Sequence, residues 1–144
     1  MSTFTVTTSI NRPPQEVFDF FTNPANASRW QNGTKSAKWI TDGQVGEGSV
    51  FQSVGKLLGR ETTMDIEITQ YDPPNILGMK GKSGPMKFEA TNKFEPNDSG
   101  TLLAQTFVGE VGGFFNLAEG LAIKQLQKQV ESDGQTLKKV LEAM

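Results

Sequence analysis

Residues 8–30 read TSINRPPQEVFDFFTNPANASRW, and the order of signals in this stretch decides what the rest of the chain must build. Its first three residues end an alternating run, 3–10, in which Phe4, Val6, Thr8 and Ile10 share one face and Thr5, Thr7 and Ser9 the other. Period-two alternation of this kind predicts a half-buried strand. Asn11-Arg12-Pro13-Pro14 stops it. A proline suits the first turn of a helix, where its missing N–H would find no partner anyway. Over 14–22 the side chains of Val17, Phe18 and Phe21 then fall on one apolar stripe. Asn23 caps a second short helix with Pro24 at its first position, and the segment closes on Trp30, a large ring with a single N–H to satisfy. The stretch predicts a strand followed at once by two short helices folded as a V.

Downstream, from Gly33 to Gly112, short alternating runs succeed one another with turn residues between them. The runs are SAKWIT (36–41), SVFQSVGKLLG (49–59), RETTMDIEITQYD (60–72), ILGMKGK (76–82), PMKFEATNKFEP (85–96) and TLLAQTFVGEV (101–111). In the third, Met64, Ile66 and Ile68 alternate against Asp65, Glu67 and Thr69; in the fifth, Met86, Phe88, Ala90 and Phe94 share a face. Such spacing predicts a continuous antiparallel sheet. After Gly112-Gly113 the period changes, and Leu117, Leu121, Ile123, Leu126, Val130, Leu137, Val140 and Leu141 recur mostly at three, four and seven. One long amphipathic helix is expected from Phe114 to the end, with Leu121 on its buried stripe, so that an aspartate there would break the core. Gly134 in mid-helix marks close packing or a kink.

This order defines an α+β chain: a curved antiparallel sheet of six to seven strands wrapped around a long C-terminal helix, with two short helices after strand 1. The sheet must cover its apolar face, and the final helix carries the only long apolar stripe available. Strands curling around a single helix leave space that side chains need not fill, a natural ligand cavity.

The chain resembles the START-like, or SRPBCC, superfamily, the helix-grip fold of the birch-pollen-type allergens. TSINRPPQEVFDFFTNPANASRW is similar to the family's opening pattern of strand, proline-initiated helix with V-[FW] at its core, then [DN]-P-x5-W. VGEGSVFQ (45–52) resembles its G-x-G-[ST] entry to the third strand, and ITQYDPPNIL (68–77) its V-x-[ED]-[YF]-x-P-P turn. The likeness spans 1–144 as a single domain and points to the polyketide cyclase/dehydrase and lipid-transport-like subgroup. It implies that Trp30 packs under the entrance of the cavity; the alternative is that Trp30 only locks the helix pair onto the sheet.

Composition limits the chemistry. The 14 basic and 16 acidic residues leave a net charge of −2, too even for a protein built to grip nucleic acid or an anionic membrane. With no cysteine there is no disulfide or thiolate, and with no histidine the commonest general base and metal ligand are missing. No run approaches a membrane span and the N-terminus does not read as a signal peptide, so a soluble cytoplasmic protein is expected, without cofactor or metal, as a monomer or homodimer.

The leading expectation is a binding protein holding a lipid, a polyketide-like compound or another apolar metabolite between sheet and helix. Its candidate lining is Trp30, Phe51, Met64, Ile66, Met79, Phe88, Phe107, Phe114, Phe115, Leu117 and Leu121, with Leu57 and Met86 beside them and Asn92 as a polar anchor or a satisfied structural amide. A cyclase or dehydratase using the same cavity is the alternative. Its candidate acid or base is Glu110, which shares strand parity with Leu102, Ala104, Thr106 and Val108, unless the glycines around it leave it in solvent. The third reading is a protein-interaction module like the chaperone-activator branch of the superfamily.

Overall fold

The computed structural model describes residues 2–84 and 86–144, with the side chains of Phe114 and Phe115 outside that description. Seven strands form one antiparallel sheet: β1 (Ser2–Ile10), β2 (Thr34–Trp39), β3 (Val50–Leu57), β4 (Arg60–Asp72), β5 (Ile76–Ser83), β6 (Lys87–Asn97) and β7 (Gly100–Glu110). Their order is β1-β7-β6-β5-β4-β3-β2, so strands adjacent in sequence, β1 and β2, stand at opposite edges. The segment between them spans that gap as expected, with α1 (Pro14–Thr22), one 3₁₀ turn (Pro24–Asn26) and α2 (Ala27–Trp30). The Asn23 side chain accepts the Ala25 N–H at 3.1 Å, which is the anticipated cap. Bulges between Thr34 and Ser36, Asp65 and Ile66, and Ile68 and Gln70 interrupt the ladders of β2–β5; such bulges bend and twist the strands that carry them.

The C-terminal helix is shorter than the periodicity predicts. A turn of helix, α3 (Gly112–Phe115), is followed by a break, and α4 runs Glu119–Glu142. Asn116, in the left-handed region at φ 53°, returns its N–H to the Gly112 and Gly113 carbonyls and ends α3. Ala118, extended at ψ 140°, restarts the chain as α4. Leu117 thus lies in the connection, half-buried, and Leu121 in the first turn of α4 is 49% exposed rather than part of the buried stripe. That stripe is Ala122, Leu126, Leu137 and Leu141, with Ile123, Val130 and Val140 at its margins.

Both ends of α4 are tied down. At the start, the Glu119 carboxylate accepts the N–H groups of Gly112 (2.7 Å) and Val111 (3.0 Å) and the Ser2 hydroxyl (3.0 Å). At the finish, the Arg12 guanidinium donates to the carbonyls of Glu142 and Met144, each at 2.8 Å, while Lys138 and Glu142 pair at 2.8 Å.

Two apolar clusters fill the space between sheet and helices. The first gathers Ile10, Val17, Phe18, Trp30, Leu77, Phe94, Leu103 and Leu137 under the helix pair. The second gathers Phe4, Val6, Met86, Val111, Ala122 and Leu126 toward the other end, with Leu57, Met64, Phe88 and Phe107 at its margin. Between them runs a polar belt: Thr8 on β1, Gln105 on β7 and Asn92 on β6, the last two directly paired. Gly134 meets this belt, because a Cβ there would sit 2.6 Å from the Thr8 hydroxyl. Close packing, not a kink, explains that glycine.

Candidate functional site

The inner face of β2–β5, the end of α2 and the middle of α4 enclose a cavity of about 150 Å³. Alternation places Phe51, Ser53 and Gly55 of β3 and Thr62, Met64 and Ile66 of β4 in its wall, each pair face to face in register. Met79 of β5 and Leu57 complete the apolar part, and Trp39 stands edge-on to Phe51 at 5.7 Å. A cavity of that volume lined by apolar side chains is the size that receives a single aromatic ring.

The cavity has a mouth. Gly33, Thr34, Gly55, Lys56 and Thr62 line both the cavity and an open cleft of about 650 Å³ outside it. Backbone crowds backbone at this point: a Cβ on Gly33 would fall onto the Lys56 carbonyl oxygen, and one on Gly55 onto that of Gly33. Lys56 donates its N–H to the Gly33 carbonyl at 2.8 Å, which holds the rim. Glycine is required at both positions for the strands to close this near.

Of the residues expected to line a site, the structure brings Phe51, Met64, Ile66 and Met79 together around the cavity. Phe88 and Phe107 stack at 5.7 Å, and Phe107 on Phe4 at 5.2 Å, in the second cluster, where Leu117 also packs. Trp30 is 4% exposed in the first cluster, 5.0 Å from Phe21, with its N–H unpartnered among the described residues. Asn92, 2% exposed, donates to the Leu77 carbonyl at 3.0 Å, as a structural amide does. Leu121 faces solvent, and the side chains of Phe114 and Phe115 lie outside the described residues.

Strand parity decides between the two readings of Glu110. The buried positions of β7 are Thr101, Leu103 and Gly109, so the odd positions face inward and Glu110 is exposed, opposite Lys87. TLLAQTFV has apolar residues at both parities. Its own pattern cannot choose a face, whereas pairing with β1 and β6 does.

One group was missed. Asp133 of α4 lines the cavity beside Gln129, and its Oδ1 accepts both the Asn32 backbone N–H at 3.0 Å and the Gln129 amide at 2.9 Å. Burial pushes its carboxyl above the usual aspartate range, and the two donors only partly oppose that. The signal was present: Val130, Asp133 and Leu137 are spaced by three and four, which puts an acid on the apolar stripe.

Comparison with known proteins agrees with this architecture. A family profile described as "Polyketide cyclase / dehydrase and lipid transport" matches residues 1–142. No curated protein sequence matches significantly. Among solved structures, TTHA0849 from Thermus thermophilus superposes with a TM-score of 0.81 at 21% identity, covering 99% of each chain. Ara h 8.0201 gives 0.77 at 12% identity, again over 99% of each chain. The di-domain ARO/CYC BexL, from the BE-7585A biosynthetic pathway, gives 0.79 at 14% identity, covering 99% of this chain and 47% of that one. No helix among the described residues is long and apolar enough to cross a membrane.

Proposed function

The chain belongs to the polyketide cyclase / dehydrase and lipid transport family, with the helix-grip fold of the SRPBCC superfamily, and from that premise we propose that it binds a small hydrophobic molecule between the sheet and α4. One observation carries the reading: the 150 Å³ cavity, walled by Phe51, Met64, Ile66 and Met79, opens through a glycine-lined mouth to the outside. Small-molecule sites usually enclose about 300–1,000 Å³. A ligand larger than one ring therefore extends through the mouth into the outer cleft. Two methionines in the wall give it the adaptability of a permissive site.

The test is native mass spectrometry of the freshly purified protein, followed by organic extraction, beside a Met79→Trp variant that fills the cavity. A stoichiometric hydrophobic adduct, lost in the variant, is the expected result. An adduct retained at the same occupancy in Met79→Trp would move the ligand elsewhere and end the reading.

A second reading, acid–base chemistry on a reactive carbonyl compound, has Asp133 in its favour, because burial raises its carboxyl above the usual aspartate range, the direction a proton-exchanging group needs. It would be supported by turnover of a poly-ketone that Asp133→Asn abolishes, and it does not use Glu110.

A further inference from the structure

We propose that Asp133 is the polar pole of the cavity and selects a ligand whose head group donates a hydrogen bond, a hydroxyl or an ammonium, while rejecting carboxylates. The inference rests on the cavity-binding reading and deepens it. Three observations carry it. Both hydrogen bonds to the Asp133 side chain end on Oδ1, so Oδ2 has no hydrogen bond among the described residues. On the β4–β5 side the cavity wall is mainly apolar, at Met64, Ile66 and Met79, with Thr62 at the mouth; Gln129 and Asp133 enter from α4 and Gln31 from the end of α2, across from the smaller polar groups of Thr34 and Ser53 and from Lys56. Among the described residues no positive charge contributes to the state of Asp133; burial and its two donors account for it.

A partly buried carboxylate with one oxygen open, and no cation hydrogen-bonded to it among the described residues, can accept a hydrogen bond from a ligand. A ligand hydroxyl or ammonium supplies one and gains a charge-assisted bond. A ligand carboxylate in the same place sets two like charges side by side in a site of reduced dielectric. The charged groups of the neighbouring elements that reach the mouth are Lys35 of β2, Lys56 of β3 and Glu61 of β4. They line the outer cleft, and of the three only Lys56 also lines the cavity. A carboxylate-headed ligand would accordingly be drawn toward Lys56 and Lys35 at the mouth and away from Asp133.

The experiment is a calorimetric or fluorescence titration with four probes on one ring system: 2-naphthol, 2-(aminomethyl)naphthalene, 2-methylnaphthalene and 2-naphthoate. The wild-type protein is expected to bind at least one donor-headed probe about tenfold or more tighter than the methyl probe, the gain typical of a hydrogen bond to a charged group. The carboxylate is expected to bind weakest. Asp133→Asn should narrow the spread and improve 2-naphthoate, while Met79→Trp should weaken every probe. The wild-type ranking needs no variant and stands even if Asp133→Asn folds poorly. Equal affinity for the methyl, hydroxyl and amine probes, all lost in Met79→Trp, would overturn the selection by Asp133 and leave the cavity reading intact. No binding of any probe, or binding indifferent to Met79→Trp, would sink both.

Discussion

The core under the helix pair and the wall of the cavity are built from the same residue types and differ in what closes them. Under the helix pair, Phe18 meets Phe94 edge-on at 5.1 Å, Phe21 meets Phe94 at 5.3 Å, and Leu103 and Leu137 are 0% exposed. Around the cavity, Phe51, Leu57, Met64 and Met79 keep part of their surface open. The difference lies in the covering elements. The first cluster is sealed by a helix pair fixed between β1 and β2, with its own proline and cap. At the cavity, the wall facing the β-strands is the middle of α4, which presents Gln129 and Asp133 where a filling side chain would have to be. Side chains fill the space under the helix pair and leave space open at the cavity.

The sharpest way to break that contrast is a matched pair of truncations. Leu103→Ala is expected to cost about 2–5 kcal/mol, since its site is enclosed and cannot collapse. Met64→Ala, beside space that already exists, should cost about 1 kcal/mol. Chemical denaturation measures both, and equal losses would show that the two ends are packed alike.

Gly134 sits on the boundary between the clusters, and its replacement tests how tight that boundary is. Alanine there gains about 1 kcal/mol of helix propensity but presses on the Thr8 hydroxyl, an overpacking worth about 1–3 kcal/mol. Gly134→Ala should therefore be destabilising by up to about 2 kcal/mol on these figures. Thr8→Ala removes the obstacle, and its hydroxyl has no hydrogen-bond partner to lose among the described residues. The next atom, Thr8 Cβ, stands at an ordinary 3.8 Å. The double variant should recover the loss and exceed it, and a thermodynamic cycle of melting curves decides the point.

Two carboxylates mark the ends of the contrast with opposite signs. Glu119 is held below the usual glutamate range, chiefly by the Gly112 N–H, with the Ser2 hydroxyl and the Val111 N–H adding to it. Its contribution is present above the unfolded pKa and is lost as pH falls through the lower folded value. Glu119→Gln should lower Tm near neutral pH, and the difference should fade in acid. Asp133 is raised by burial, so the folded state binds its proton more readily than the unfolded state does. That penalty is present above the folded pKa and is relieved as pH falls below the unfolded one. Asp133→Asn should raise Tm near neutral pH and gain less in acid. Parallel pH profiles for the two variants would contradict the assignment.

The sequence was most legible where one face of a strand is uniformly apolar. β1, β4 and β6 have this pattern, and their buried positions, such as Val6, Ile66 and Phe94, are the alternating ones. It was silent where both parities carry apolar residues, as in β7, and the face of Glu110 stayed open for that reason. The break before α4 depends on Asn116 adopting a positive φ, which asparagine tolerates but does not announce. Asp133 was overlooked because a lone acid on an apolar stripe reads as an imperfection of the pattern, yet burial beside two donors is what gives it character.

Leu121 offers the smallest and most telling effect. Periodicity alone places it on the buried stripe, where an aspartate would unfold the protein. The structure puts it in the first turn of α4, about half exposed at 49%, while its neighbour Ala122 is 0% exposed. An aspartate at Leu121 therefore enters solvent, close to the positive end of a helix of 24 residues. Exposed substitutions usually stay within about 0.5 kcal/mol, and an acid near a helix N-terminus gains about 0.3–1 kcal/mol at low salt. Leu121→Asp should leave Tm unchanged or slightly raised, with any gain shrinking as salt is added. Unfolding of this variant would mean that α4 starts earlier and is rotated from the arrangement described, and the cavity wall would have to be redrawn with it.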